Sequence, residues 1–220
     1  MSELIATLPS ALPRHGLLFV YALLFALAEI EIEGARGWAE ALPTWYRVTP
    51  WYARLFRFVM SGKPLTGYHA VMLPLTFTSF HMGFGFGQTW TMQAEAVVIA
   101  RFLFWIMVWD LIWFLFNPAF GWRRFRPGQV WWLGKRWFGG FPQEYWSGAA
   151  VSFAVAAWGH GKQSVAAALL EHTVYGASLV VMTVGICFAI PSYQRWYQHM
   201  RRPGADERGL AIPPSRQPSA

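Results

Sequence analysis

Charge is scarce in this chain: only 13% of its 220 residues are Asp, Glu, Lys or Arg. A water-soluble domain carries about 25%, so a soluble enzyme or carrier of ordinary composition is excluded. Cysteine is scarcer still. Cys187 is the single one, which rules out an intrachain disulfide and any cysteine-based metal motif. It sits in an apolar run and reads as a small packing residue. Several chemical signatures are also missing. There is no Gly-x-x-x-x-Gly-Lys-Ser/Thr phosphate loop, no Gly-x-Ser-x-Gly nucleophile elbow and no zinc-protease helix. No His-x-x-x-His pair occurs, and no internal repeat is visible.

What the chain does have is apolar mass. Hydrophobic residues make up 55%, mean hydropathy is +0.28, and Trp occurs 14 times. Trp and Tyr gather where bilayer meets water. A hydrocarbon core about 30 Å thick needs roughly 20 helical residues. Five segments approach that length: 12–33, 66–88, 94–117, 145–158 and 165–191, the fourth being short. Pro118 closes the third, because proline cannot continue the helical hydrogen-bond ladder. The first run is expected to be retained. Residues 1–13 hold Glu3 and no base, and no small-x-small cleavage site follows Phe25 cleanly, because Glu29, Glu31 and Glu33 intervene. The expected class is therefore an all-α polytopic membrane helix bundle. It has about five transmembrane helices and one or two interfacial helices, in one domain over 1–202 with a disordered cytoplasmic tail at 203–220.

The basic residues order these spans. Arg36, Arg47, Arg54, Arg57 and Lys63 lie between spans one and two; Arg123, Arg124, Arg126, Lys135 and Arg136 lie between three and four. Arg195, Arg201, Arg202, Arg208 and Arg216 follow span five. With five crossings all fifteen share one side, leaving Arg14 and Lys162 opposite and Arg101 within a span. The positive-inside rule then puts the N-terminus outside and the C-terminus in the cytoplasm, in a plasma (inner) membrane. The net charge of +7 is explained by orientation and anionic headgroups, so no nucleic acid is expected as a partner. Membrane lipids are, and so is a membrane-protein partner or a second copy: Gly148, Ser152 and Ala156 repeat at the spacing that lets helices approach closely.

Trp51, Leu55, Phe58 and Val59 form one helical stripe with Arg54 and Arg57 off it, which suits a helix lying among headgroups. Residues 120–141 interleave Trp122, Phe125, Trp131, Trp132, Trp137 and Phe138 with five bases, the pattern of an interfacial, lipid-touching element.

Ionisable residues inside spans are costly and mark candidate function. Glu29 and Glu33 are four apart and share a helix face, with Glu31 turned away. Arg36 falls on the shared face and offers Glu33 an ion pair. His69 near the start of span two, and Asp110 in the aromatic wall ending span three, reach the same cytoplasmic half. Glu29, Glu33, Asp110 and His69 are the candidate catalytic set, suited to proton transfer or cation binding. The segment 33–45 carries Gly34, Gly37 and Pro43 and reads as a shaped loop over that site, with Trp38 and Trp45 as interface anchors.

Toward the outer half stand His81, Glu95, Glu171 and His172, a candidate nitrogen-and-oxygen metal set. Arg101 nearby is the natural counter-ion to Glu95 or Glu171. No motif identifies a cofactor. Three functions fit: an intramembrane acidic/His site for a lipid-like substrate or a cation, an accessory or scaffold subunit of a membrane complex, and a small transporter or ion pathway.

Overall fold

The computed structural model describes residues 2–201, with side chains from residue 9 onward. The tail expected at 203–220 lies outside the described residues. Helix α1 runs Ser2–Glu33, and α2 (Trp51–Val59) lies in the loop after it. Strands β1 (Tyr46–Arg47) and β2 (Leu65–Thr66) pair antiparallel across that loop, Tyr46 opposite Thr66. Next come α3 (Gly67–Phe80), α4 (Met82–Gly85) and the long α5 (Met92–Phe116). A second loop holds α6 (Gly121–Arg124) and the pair β3 (Trp137–Phe138) and β4 (Phe141–Pro142). The chain ends with α7 (Gln143–Trp158), α8 (Val165–Ile186), a short 3-10 turn over Cys187–Ala189, and α9 (Ile190–Met200).

Three stretches are long and apolar enough to cross a membrane: Pro9–Glu33, Met92–Phe116 and Val165–Met200. Five crossings are expected from the sequence, but α3 and α7 have only 14 and 16 residues. At 1.5 Å per residue they measure about 21 and 24 Å. The second expected span breaks at His81, and Gly87 takes a positive φ of 97°, a conformation open to glycine. At the other end of the chain, Pro191 does not stop the helix. It occupies the first turn of α9, where its missing N–H costs nothing.

Helix α5 is the axis of the bundle and packs against α1, α3, α7 and α8. Its Trp105, Ile112 and Phe114 are fully buried. The outward faces are apolar: Leu17 and Leu24 of α1, Val71 and Leu75 of α3, and Val181, Val184 and Phe188 beyond α8's core are all exposed. On α2 the exposed residues include Trp51, Leu55, Phe58 and Val59, the stripe read from the sequence, while Ala53 faces inward. In the second loop Phe125 and Trp132 are buried and Trp122, Trp131 and Phe138 exposed, so that segment is half core and half surface.

The small-residue stripe of α7 lies against α5. Ser152 Oγ donates to Ala100 O at 2.8 Å and meets His172 Nε2 at 2.7 Å, joining α7 to both α5 and α8. Ser152→Leu forces α7 off α5 and removes both bonds. A loss of about 1–3 kcal/mol is expected, read as a lower unfolding temperature in detergent. Ser152→Ala is expected to cost less, because it removes the bonds without the bulk.

Candidate cation site

The last turn of α1 brings Glu29 and Glu33 inward, as their four-residue spacing requires. Glu31 points outward and pairs with Arg201 at 3.2 Å. The chain then turns back over the acids. Gly34 and Gly37 take φ of 64° and 68°, and Trp38 and Ala39 follow at 45° and 53°. This unusual left-handed run delivers the Ala39 N–H to Glu33 Oε1 at 2.5 Å. Glu33 is thus held by backbone, and the ion pair with Arg36 expected from the sequence does not form; Arg36 is exposed. Asn117 at the end of α5 donates to Gly34 O at 2.9 Å and fixes the start of the loop.

His69 enters from the first turn of α3. Thr66 caps that helix, its hydroxyl accepting the His69 N–H at 3.1 Å and meeting His69 Nδ1 at 2.7 Å. The imidazole stacks on Trp38, ring centres 4.0 Å apart. Trp38 is therefore a buried wall of the site, 7% exposed, and not an interface anchor. The neighbouring Tyr68 hydroxyl reaches Glu29 through a long bond of 3.4 Å. Ligand atoms of Glu29, Glu33 and His69 all lie within 4.8 Å of one another.

Asp110 sits one layer away. It accepts a very short hydrogen bond from the Tyr145 hydroxyl of α7 and lies within electrostatic reach of Glu29, Glu33 and Lys63. Lys63 is buried, with its ammonium over the Trp38 ring at 4.8 Å. Burial lowers its pKa below the ordinary lysine value, and Asp110 and Glu144 oppose that shift. Lys63 thus faces Asp110 and Glu144, and Asp110 in turn lies within reach of Glu29 and Glu33. Two buried indole N–H groups are without partners, Trp109 Nε1 and Trp113 Nε1. The Trp109 group is directed at Glu29 but completes no hydrogen bond. Orphaned buried donors of this kind call for a partner.

The outer set divides differently. His81 Nε2 pairs with Glu95 at 2.9 Å, and Trp90 Nε1 donates to the same carboxylate at 3.0 Å. Glu171 pairs with Arg101 at 2.6 Å. His172 is occupied by Ser152 on the far side of α5. Among the described residues the group with metal-ligand proximity is Glu29, Glu33 and His69, not these four.

Lys63, Tyr68, Trp38, Trp109 and Tyr145 complete the site but carry no motif. Lys63 reads in sequence as one more cytoplasmic base. The clue to its role is position: a lone lysine just ahead of the Pro64-Leu65-Thr66 approach to α3. No protein family, no curated protein and no solved structure matches this chain.

Two outcomes test this geometry. A Cβ on Gly37 would lie 2.5 Å from Trp132 Cη2 and 2.9 Å from Trp113 Cη2, at a backbone φ of 68°. Gly37→Ala is therefore expected to cost at least about 2 kcal/mol, measured by thermal unfolding. Lys63 supplies a pH signature. Between its lowered folded value and the ordinary 10.5, the unfolded chain holds more protons than the folded one. Stability therefore rises with pH across that window, and Lys63→Met is expected to flatten that component of the slope.

Proposed function

We propose that this chain is an integral membrane protein of five spans that binds a divalent cation at the cytoplasmic edge of the bilayer. Glu29, Glu33 and His69 are the ligands. The observation that carries the reading is their convergence within 4.8 Å from two helices distant in sequence. Bonds of about 2.1 Å hold ligand atoms at most about 4.2 Å apart, so a small side-chain rotation closes the set. Thr66 engages His69 Nδ1 at 2.7 Å, which orients the ring and leaves Nε2 as the nitrogen available to ligate. Carboxylate and imidazole donors without sulfur suit zinc, manganese or ferrous iron. The charge also suits: Glu29 and Glu33 carry two negative charges when ionised, which one dication neutralises.

An ion fits better than a lipid-like substrate at this position. The acids line neither the outer cavity of about 650 Å³ nor the smaller one of about 270 Å³ beside Lys135 and Arg136. The orientation rests on the bases. Those from the two long loops, together with Arg195 and Arg201, sit at the end of the bundle that holds Glu33 and Asn117. Arg14 and Lys162 belong to the opposite end. The remaining tail arginines lie outside the described residues. A plasma (inner) membrane with the N-terminus outside follows from the positive-inside rule, and five crossings require α3 and α7 to span with flanking loop residues completing the thickness.

Equilibrium dialysis of chelator-stripped protein against Mn²⁺ or Zn²⁺ tests the site. One ion per chain is expected, with affinity falling as pH falls, because the ion displaces protons from its ligands. Glu33→Gln and His69→Ala are each expected to weaken binding at least about tenfold. Undiminished binding in a folded Glu29→Gln, Glu33→Gln double variant would overturn the assignment. The topology is checked by single cysteines in a Cys187→Ser background. Positions 40 and 135 should react only from the cytoplasmic side, and position 162 only from outside.

A further inference from the structure

At the opposite end of the bundle is a cavity of about 650 Å³, within the 300–1,000 Å³ range of small-molecule sites. Its walls are Leu17, Leu18 and Tyr21 of α1, Ser79 and Phe80 of α3, and Val97 and Val98 of α5. Its floor is aromatic. Tyr21 stacks on Trp105 at 5.0 Å, and Phe80 meets the same indole edge-on at 5.2 Å. Trp105 Nε1 donates to Leu18 O at 2.8 Å, locking the floor between α5 and α1. The mouth has two characters. Leu17 is 71% exposed on the outward apolar face, whereas Gln88, Gln93 and Gln163 bring polar amides to the rim.

We infer that this cavity binds a neutral single-chain amphiphile whose head carries hydroxyl or carbonyl oxygen. The charge at the rim selects a neutral head. Arg101 lines the cavity, but its guanidinium is already neutralised by Glu171 at 2.6 Å. The hydrogen-bonding groups select hydroxyl or carbonyl. His160 Nδ1 lies 2.7 Å from Ala157 O, and a carbonyl can only accept, so the ring donates there and leaves Nε2 as an acceptor. The glutamine amides offer both donors and acceptors, and Arg101 offers donors. A hydroxyl can satisfy acceptor and donor together, while the alkyl chain lies along Leu17, Leu18, Val97 and Val98 toward the lipid-facing side. The site is independent of the acids at the other end and does not require the cation.

The test is photolabelling of purified protein with a diazirine-bearing hexadecanol, mapped by peptide mass spectrometry. Labels are expected on the peptides carrying Leu18 and Val97, displaced by unlabelled hexadecanol and far less by palmitate. Leu17→Trp fills the mouth at an exposed position and is expected to weaken displacement about tenfold, equivalent to about 1.4 kcal/mol. Val97→Phe, filling the interior, serves as the second variant. Labelling of Val181 and Val184 on the lipid face of α8 should not change in either, and Glu33→Gln should leave the cavity labels intact. Labels spread evenly over all outward faces without displacement would overturn the inference. So would preferential capture of palmitate, which would make Arg101 the anchor of an anion site.

Discussion

Removing the carboxylates of Glu29 and Glu33 from water is the constraint around which the rest of the inner end is arranged. Each acid at lipid depth costs about 2.5–3.5 kcal/mol, and a Leu or Phe on the same helix returns only about 0.3–0.6. Helix α1 therefore cannot carry them into the bundle unaided. The loop that follows is bent through positive φ values at Gly34 and at the run Gly37, Trp38 and Ala39 to bring one backbone N–H onto Glu33. The same bend drops Trp38 onto His69 and places Lys63 above the indole. A cation over an aromatic face gains about 0.5–2 kcal/mol depending on its desolvation. That is too little to offset the burial of an ammonium by itself, so the nearby carboxylates and the lysine stabilise one another.

This interdependence explains why so much of α5 is tryptophan and phenylalanine. Trp113, Phe114 and Trp132 pack edge to face and stacked around the Gly37 turn. They leave no room there for a side chain. Near this turn Glu33 is buried and Glu29 half-buried, and charge interactions strengthen where water is excluded. Rigid rings pack there at little conformational-entropy cost, because few side-chain torsions are frozen on packing. Asn117 then ties the wall to the turn through Gly34 O.

The helices and the inward pair of acids were legible in the sequence because both depend on period. A run of apolar residues gives span length, and a spacing of four gives a shared face. The stripe on α2 was readable for the same reason. What could not be read is what depends on chain reversal. The pairing of Tyr46 with Thr66 returns the loop to the start of α3, and only then do Lys63 and Trp38 meet His69. A two-residue strand leaves no periodic trace. The outer metal set failed to assemble for a related reason. His172 and Glu171 are adjacent and diverge by about 100°, so Glu171 turned to Arg101 and His172 to Ser152. The fifth segment, bounded at 191, runs on into α9, because proline is tolerated in a helix's first turn as readily as it ends one.

The two ends of the bundle are separated by a continuous aromatic layer. Tyr21 lines the cavity and stacks on Trp105 behind it, and Phe25 and Trp109 carry the contacts one turn further, at 5.6 Å from each other, to the edge of Glu29. The layer spans α1 and α5, which pack along much of their common length. Because Trp105 is fully buried and bonded to Leu18 O, shifting it requires breaking that bond inside the core, where no water replaces it. Such a layer keeps the charged site and the cavity apart. Trp105 in turn meets Trp109, whose N–H is the unpartnered donor beside Glu29. What lies between the cavity and the acids is thus a column of close-packed rings.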